Sequence, residues 1–178
     1  MGPSSRSKVR TTNSTIVRPV TTKSRPKTTS TSTGYPYFGN EILCALSESR
    51  GISPSVGLAF VNLTTCEAAL CQITDTQTYA RTCHKLKVFS PTEIVFANTA
   101  VDSKLISIVR ENLDLDSQKI KMTDIDRRYW SEKLGHDYIE QLALPDDLEA
   151  LKLSLSGNYF AVCSFAAVRY RLEYMQQH

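Results

Sequence analysis

Carboxylates near the first apolar segments are the side chains of this sequence best suited to catalysis. Glu41 and Glu48 flank the mostly apolar residues 42–47, and Asp75 follows a later apolar run. A nuclease of the two-metal kind needs clustered carboxylates on adjacent strands, because these hold the ions that activate water. The short apolar run at residues 94–97 carries no acid, so a third carboxylate ligand has no evident source. We therefore predict no catalytic residue and no metal ligand, with a structure-selective nuclease as an alternative.

Cysteine and histidine form the second group that could do chemistry, either as zinc ligands or as a nucleophile with its base. The candidates are Cys66, Cys71, Cys83 and His84. The cysteines are separated by four and then eleven residues, which departs from the Cys-x2-Cys pair typical of structural zinc. Neighbours on a helix point about 100° apart, so Cys83 and His84 are poorly placed to act together. Cysteine is more often buried in an apolar core, and we predict burial for these three.

Positive charge is concentrated in residues 1–40, where seven cations occur without a single acid and sixteen positions are Ser or Thr. The candidates for nucleic-acid contact are Arg6, Lys8, Arg10, Arg18, Lys23, Arg25 and Lys27. Such a segment attracts phosphates through counterion release, without reading sequence, so nonspecific DNA binding is one interpretation. A solvated tail open to phosphorylation is the other, and the sequence favours neither. Few large apolar side chains are available to offset the entropy of ordering, so we predict a disordered arm.

The remaining residues have the opposite charge and the composition of a folded domain. The chain totals of 21 basic and 18 acidic residues leave 14 basic and 18 acidic for residues 41–178. An apolar signal-peptide core is absent at the N-terminus, and no run of eighteen apolar residues occurs, so no membrane partner is expected.

Hydrophobic patterning predicts three strands followed by alternating helices and strands. The predicted strands are residues 41–48, 56–63, 66–74, 93–97 and, at an edge, 119–125; the predicted helices are 76–88, 102–112, 127–143, 148–155 and 159–178. This order predicts an α/β fold with a ribonuclease-H-like mixed sheet over residues 41–156 and a long C-terminal helix. Because that helix is apolar almost all round, we expect residues 157–178 to begin a further helical domain and the chain to continue past His178.

Three segments carry a family resemblance: residues 86–100 (LKVFSPTEIVFANTA), 126–142 (DRRYWSEKLGHDYIEQL) and 158–170 (NYFAVCSFAAVRY). Residues 86–100 resemble the passage from helix to strand in the connector domain of MutS proteins. Residues 126–142 are similar to the strand end and following helix of the same domain, and residues 158–170 are similar to the first lever helix of that family. Together with the basic arm, the series is most similar to the meiosis-specific branch of eukaryotic MutS homologues.

The resemblance implies a connector module without catalytic activity, which transmits changes between the DNA clamp and the ATPase of a larger nuclear protein. The implied partners are a sister MutS homologue in a heterodimer, MutL-type proteins, and DNA recombination intermediates bound through the full-length protein. No cofactor is implied for this chain, because ATP and magnesium belong to a C-terminal domain of the family. In agreement, the phosphate-binding motif Gly-x4-Gly-Lys-Ser/Thr does not occur in this sequence.

Overall fold

A five-stranded mixed sheet forms the centre of the structure, a computed structural model that describes residues 41–113 and 120–177. The strands are β1 (Ile42–Glu48), β2 (Ser55–Asn62), β3 (Ala68–Thr74), β4 (Glu93–Ala97) and β5 (Lys121–Ile125). Their order across the sheet is β3-β2-β1-β4-β5. The β1–β2 and β2–β3 pairs are antiparallel, while β1–β4 and β4–β5 are parallel. The predicted mixed sheet is therefore confirmed, and the ribonuclease-H-like detail stays a prediction.

Five α-helices surround the sheet in the described part of the chain. They are α1 (Ala80–Phe89), α2 (Lys104–Asn112), α3 (Glu132–Leu142), α4 (Leu148–Leu155) and α5 (Tyr159–Gln177). Each predicted helix is present, although three begin later than expected, α2 by only two residues. The first starts after Tyr79, whose left-handed backbone has a φ of 49°. The third starts only after Ser131, because a separate 3-10 turn occupies Arg127–Tyr129.

Alternation along the strands divides the interior into two apolar layers. On β1, Leu43 and Ala45 face one layer, while Cys44 and Leu46 face the other, as the two-residue period of a strand requires. One layer is completed by α1 and α2, and the other by α3, α4 and α5. The result is a sheet covered by helices on both faces, which explains why its central strands are apolar throughout.

The last helix lies against the sheet that precedes it. Residues 161–168 of α5 are all buried, and the helix packs chiefly on β2, on β1 and on α3. The apolar surface expected to need a further domain is thus covered within the described residues over this stretch. The assignment of residues 157–178 to a separate helical domain stays a prediction.

No single helix of the described residues is long and apolar enough to cross a membrane. Among the described residues, α4 and α5 taken together have the length and apolar composition of a membrane span, but a bend of 120° separates them.

Candidate functional site at the junction of the last helix and the sheet

Two of the carboxylates singled out in the sequence serve local structure. Asp75 is buried, and its carboxylate accepts hydrogen bonds from the backbone N–H and hydroxyl of Thr82, at 2.8 and 2.9 Å, and from the N–H of Thr76. Burial raises the pKa of Asp75, but these hydrogen bonds together lower the pKa by more, so it lies below the usual range. Glu48 accepts a hydrogen bond from the Tyr79 hydroxyl at 2.8 Å, while Glu41 is exposed. Asp75 thus caps α1 from outside the helix.

The cysteines do not converge. Cys83 is buried on α1, Cys71 is half-buried on β3, and Cys66 is exposed in the β2–β3 turn. The prediction of burial was therefore wrong for Cys66. Burial raises the pKa of the Cys83 thiol, which disfavours the reactive thiolate. Across residues 41–113 and 120–177, no three His, Cys, Asp or Glu side chains are grouped so that they could hold a metal ion.

The seven arm cations predicted to contact nucleic acid, from Arg6 to Lys27, lie outside the described residues. Their contact with DNA stays a prediction. A pair of arginines followed by two aromatic residues lies inside the described range: Arg127 and Arg128 are exposed, Tyr129 is half-buried and Trp130 is buried. Trp130 thus packs in the core, as its apolar ring favours, while the Arg127 guanidinium donates to the Trp130 carbonyl and Arg128 lies over the Tyr129 ring.

A buried ion pair joins α5 to the centre of the sheet. Glu93, the first residue of β4, has a side chain only 10% exposed, and its Oε1 lies 2.9 Å from Nε of Arg171 on α5. The same oxygen accepts a hydrogen bond from the Thr123 hydroxyl on β5 and lies 3.7 Å from Nζ of Lys121. One carboxylate therefore ties the C-terminal half of α5 to two parallel strands.

The neighbours of Glu93 keep it ionised despite its burial. Burial raises the pKa of this carboxyl, whereas the Thr123 hydroxyl and the charges of Arg171 and Lys121 lower it more, so its pKa lies below the usual range. A buried carboxylate without such partners would take up a proton. The pair is consequently an ionic contact at neutral pH.

The N-terminal end of α5 is held by a side chain from β3, an edge strand of the sheet. Oε1 of Gln72 on β3 accepts a hydrogen bond from the backbone N–H of Phe160 at 2.8 Å, and its Nε2 donates to the carbonyl of Gly157 at 3.3 Å. The first N–H groups of a helix have no partner within the helix. Gln72 supplies the missing acceptor for the N–H of Phe160, although the two residues are 88 positions apart in the sequence.

The first turns of α5 approach the sheet at backbone distance. The Ser47 hydroxyl donates to the carbonyl of Phe160 at 2.7 Å and contacts the Ser164 hydroxyl, which donates to the carbonyl of Gly57 at 3.0 Å. A Cβ atom at Gly57 would lie 2.1 Å from the carbonyl carbon of Phe160, so only glycine permits this approach. Gly135 allows the same on α3, because a Cβ there would lie 2.4 Å from the carbonyl oxygen of Val162.

These contacts fasten one helix to the sheet through its first turns and through Arg171 in its C-terminal half. We call them the α5 junction; its side chains are Ser47, Gln72, Glu93, Ser164 and Arg171, with the glycines Gly57 and Gly135. The sequence reasoning missed all seven. The signals in the sequence were an acid at the start of an apolar strand, a serine inside an apolar helix and a glycine inside a strand. Each of these lowers the stability of the fold unless the polar group is hydrogen-bonded or the glycine allows a close approach. The junction attaches α5 firmly to the sheet.

The fold and the junction define an α/β domain in which a long helix is bound firmly to a mixed sheet. Residues 41–177 match the family model described as MutS domain II, so the chain belongs to the MutS family. The prediction of a MutS connector domain is thereby confirmed.

Among similar curated proteins are the MutS protein homolog 4 of human, mouse and yeast. The human protein is 31% identical over 140 residues, and the match covers 76% of this chain and 14% of the human protein. The mouse protein is 29% identical over 151 residues and the Saccharomyces cerevisiae protein 27% over 170, covering 82% and 93% of this chain. The chain spans 15% of the mouse protein and 19% of the yeast protein.

Among solved structures, the HTLV-2 integrase catalytic core domain aligns with a TM-score of 0.32 and 13% identity, covering 65% of this chain and 84% of that one. A likeness at this level supports no statement about the activity of this chain.

Proposed function

We propose that this chain is the connector module of a MutS homologue that acts in meiotic recombination and promotes crossing-over. The module performs no chemistry and transmits movement between the part of its parent protein that encloses DNA and the part that hydrolyses ATP. The match to MutS domain II and the similarity to MutS protein homolog 4 carry this proposal. A role in the nucleus follows from it, with a sister MutS homologue and MutL-type proteins as partners and recombination intermediates bound by the whole assembly.

The α5 junction supports the transmitting role. A helix can carry movement into a sheet only if it is displaced as a rigid body and does not slide over the sheet. The buried pair of Glu93 and Arg171 resists sliding in the C-terminal half of the helix, and the Gln72 cap resists it at the start. Beside the cap, close backbone approach at Gly57 leaves no side chain to deform. Movement of α5 would therefore carry the whole sheet.

Loosening the junction in the complete protein tests this role. In the parent protein assembled with its sister homologue, we expect Glu93→Gln to lower the ratio of DNA-stimulated to basal ATP hydrolysis, because strain no longer crosses the junction. Basal hydrolysis and DNA affinity should change little. The control is Glu149→Gln, which removes the same charge from a side chain that is 90% exposed.

Hydrogen exchange on α5 is measured in the same samples, so that the loosening itself is observed. A variant whose α5 exchanges faster while DNA stimulation of ATP hydrolysis is unchanged would refute transmission through this helix. Partner binding is tested separately, by titrating the full chain with the sister homologue and with a MutL-type protein.

A further inference from the structure

A cleft at the carboxyl ends of the central parallel strands lies away from Glu93 and shares Ser47 and Phe160 with the start of the α5 junction. It has a volume of about 460 Å³ and is bordered by the ends of β1 and β4, the start of α2 and the start of α5. The chain leaves β1 toward β2 on one side and leaves β4 toward β5 on the other. Such a switch point is where α/β sheets commonly bind ligands, and the volume falls within the range of ligand pockets.

The cleft carries an excess of positive charge. It is bordered by Arg50, Lys104 and Arg127 and by a single acid, Glu48. The Glu48 carboxylate already accepts a hydrogen bond from the Tyr79 hydroxyl. The N-terminal end of α2 adds the partial positive charge of the helix dipole, since Ser103 caps the helix at this border. The surroundings therefore favour an anionic ligand.

A buried donor in the lining lacks an acceptor. Trp130 is 3% exposed, and its indole N–H has no hydrogen-bond partner among the described residues. Buried polar groups without a partner are rare in native proteins, and each calls for an explanation. Trp130 borders the cleft beside the exposed guanidinium of Arg127, which donates to the Trp130 carbonyl at 2.9 Å. An anion bound beside Arg127 would lie close to this indole, so the indole N–H can report on binding in the cleft.

The lining also has an apolar part, formed by Leu46, Phe96, Ile106 and Phe160. A ligand that matches both parts carries an acid next to an apolar side chain. Duplex DNA fits poorly, because its phosphates lie on a broad surface and cannot enter a cleft of this size. The buried ring of Trp130 leaves little face for base stacking, so a nucleotide is also disfavoured.

We infer that this cleft binds a short acidic peptide segment of a partner protein, with a carboxylate held by Lys104 and Arg127 and an apolar side chain on the floor. The cleft can bind such a segment whether or not α5 transmits movement. Recognition of this kind would add a docking site for a partner at the edge of the sheet.

Trp130 is the only tryptophan of the chain, so its indole N–H gives one signal in a nitrogen-15 correlation spectrum. The full 178-residue chain is titrated with the blocked peptide Gly-Phe-Asp-Glu-Gly and, as a matched control, with Gly-Phe-Asn-Gln-Gly. We expect the acidic peptide to shift the indole signal to saturation and the neutral peptide to leave it in place.

Two charge-removing variants locate the binding. Lys104→Gln should weaken binding of the acidic peptide roughly threefold, the size expected for one partly exposed charge pair. Lys85→Gln, on α1 and outside the lining, should leave it unchanged. Neither variant alters the basic residues 6–27, so a peptide held by those residues would bind both variants equally, and that result would overturn the inference.

Inorganic phosphate and a single-stranded oligonucleotide are titrated in parallel. If either shifts the indole signal as strongly as the acidic peptide, the cleft is a phosphate site and the inference is wrong. An indole signal that does not respond to the acidic peptide also overturns it.

Discussion

At the scale of the residue, Glu93 is a charged side chain in a buried environment that its type rarely occupies. A carboxylate on a central strand loses its hydration, and only the three partners around it compensate for the loss. Such a pair adds little net stability over an apolar pair, yet it is costly to break, because one partner then remains buried and charged.

Glu93→Gln should therefore lower the free energy of unfolding by about 3 kcal/mol, since Arg171, only 12% exposed, loses its counter-charge. Urea denaturation of the full chain measures this change. Glu149→Gln is the control and should stay within about 0.5 kcal/mol, as expected for a surface charge. Equal effects of the two substitutions would show that the Glu93 pair is not stabilising.

A fall in pH should destabilise the domain through protonation of the Glu93 carboxylate. The pKa of Glu93 is lower in the folded chain than in the unfolded one, so the unfolded chain binds protons first as the pH falls. The stabilisation is complete above the unfolded pKa, near 4.5, and is lost as the pH drops through the lower folded pKa. Unfolding free energies measured from pH 6 to pH 3 should fall less steeply for Glu93→Gln than for the native chain. Parallel curves would contradict this assignment.

At the scale of the element, α5 is held by features of the strands beneath it. Gly57 on β2 has an ordinary backbone conformation, so its lack of a side chain serves the close approach of the helix. Gln72 on β3 takes the place of the capping residue that usually precedes a helix. The position of α5 thus depends on two strands that come far earlier in the chain.

Gly57→Ala should destabilise the chain by about 3 kcal/mol, because the new methyl group meets the backbone of Phe160 and the helix must move. Gly51→Ala is the matched control: its φ of 140° strains an alanine, but nothing lies within 4 Å of the added atom. Thermal denaturation should show the larger loss at Gly57. A loss at Gly57 no greater than that at Gly51 would mean that α5 adjusts freely.

Gln72→Ala should cost about 1 kcal/mol, the usual value for losing a helix cap, and should speed hydrogen exchange at the Phe160 amide. Gln141→Ala, at an exposed position of α3, serves as the control for this substitution. Unchanged protection of the Phe160 amide in Gln72→Ala would show that the cap is dispensable.

At the scale of the whole molecule, the chain combines two segments of opposite charge. Residues 1–40 hold seven cations and no acid, while residues 41–178 hold more acids than bases. Affinity for phosphate-rich partners is therefore expected from the first segment, and the folded domain should contribute little to it.

Replacing the seven cations of residues 1–40 by glutamine should weaken binding to duplex DNA and flatten its salt dependence. If all seven neutralise phosphates, the slope of log affinity against log salt should change by about 6. Fluorescence anisotropy between 50 and 200 mM salt, roughly the range over which such contacts weaken, measures the slope. An identical slope would mean that these residues do not contact DNA.

The sequence by itself determined the element order, because apolar periods, continuous apolar runs and turn residues are local signals. Helix starts were predicted less well, because capping at Ser131 and the left-handed turn at Tyr79 depend on single residues. Tertiary structure alone decided that Glu93 meets Arg171, 78 positions away, and that Gln72 caps α5. The reason is physical: such pairs form only after the last helix has crossed the sheet, and no local pattern records where that crossing lies.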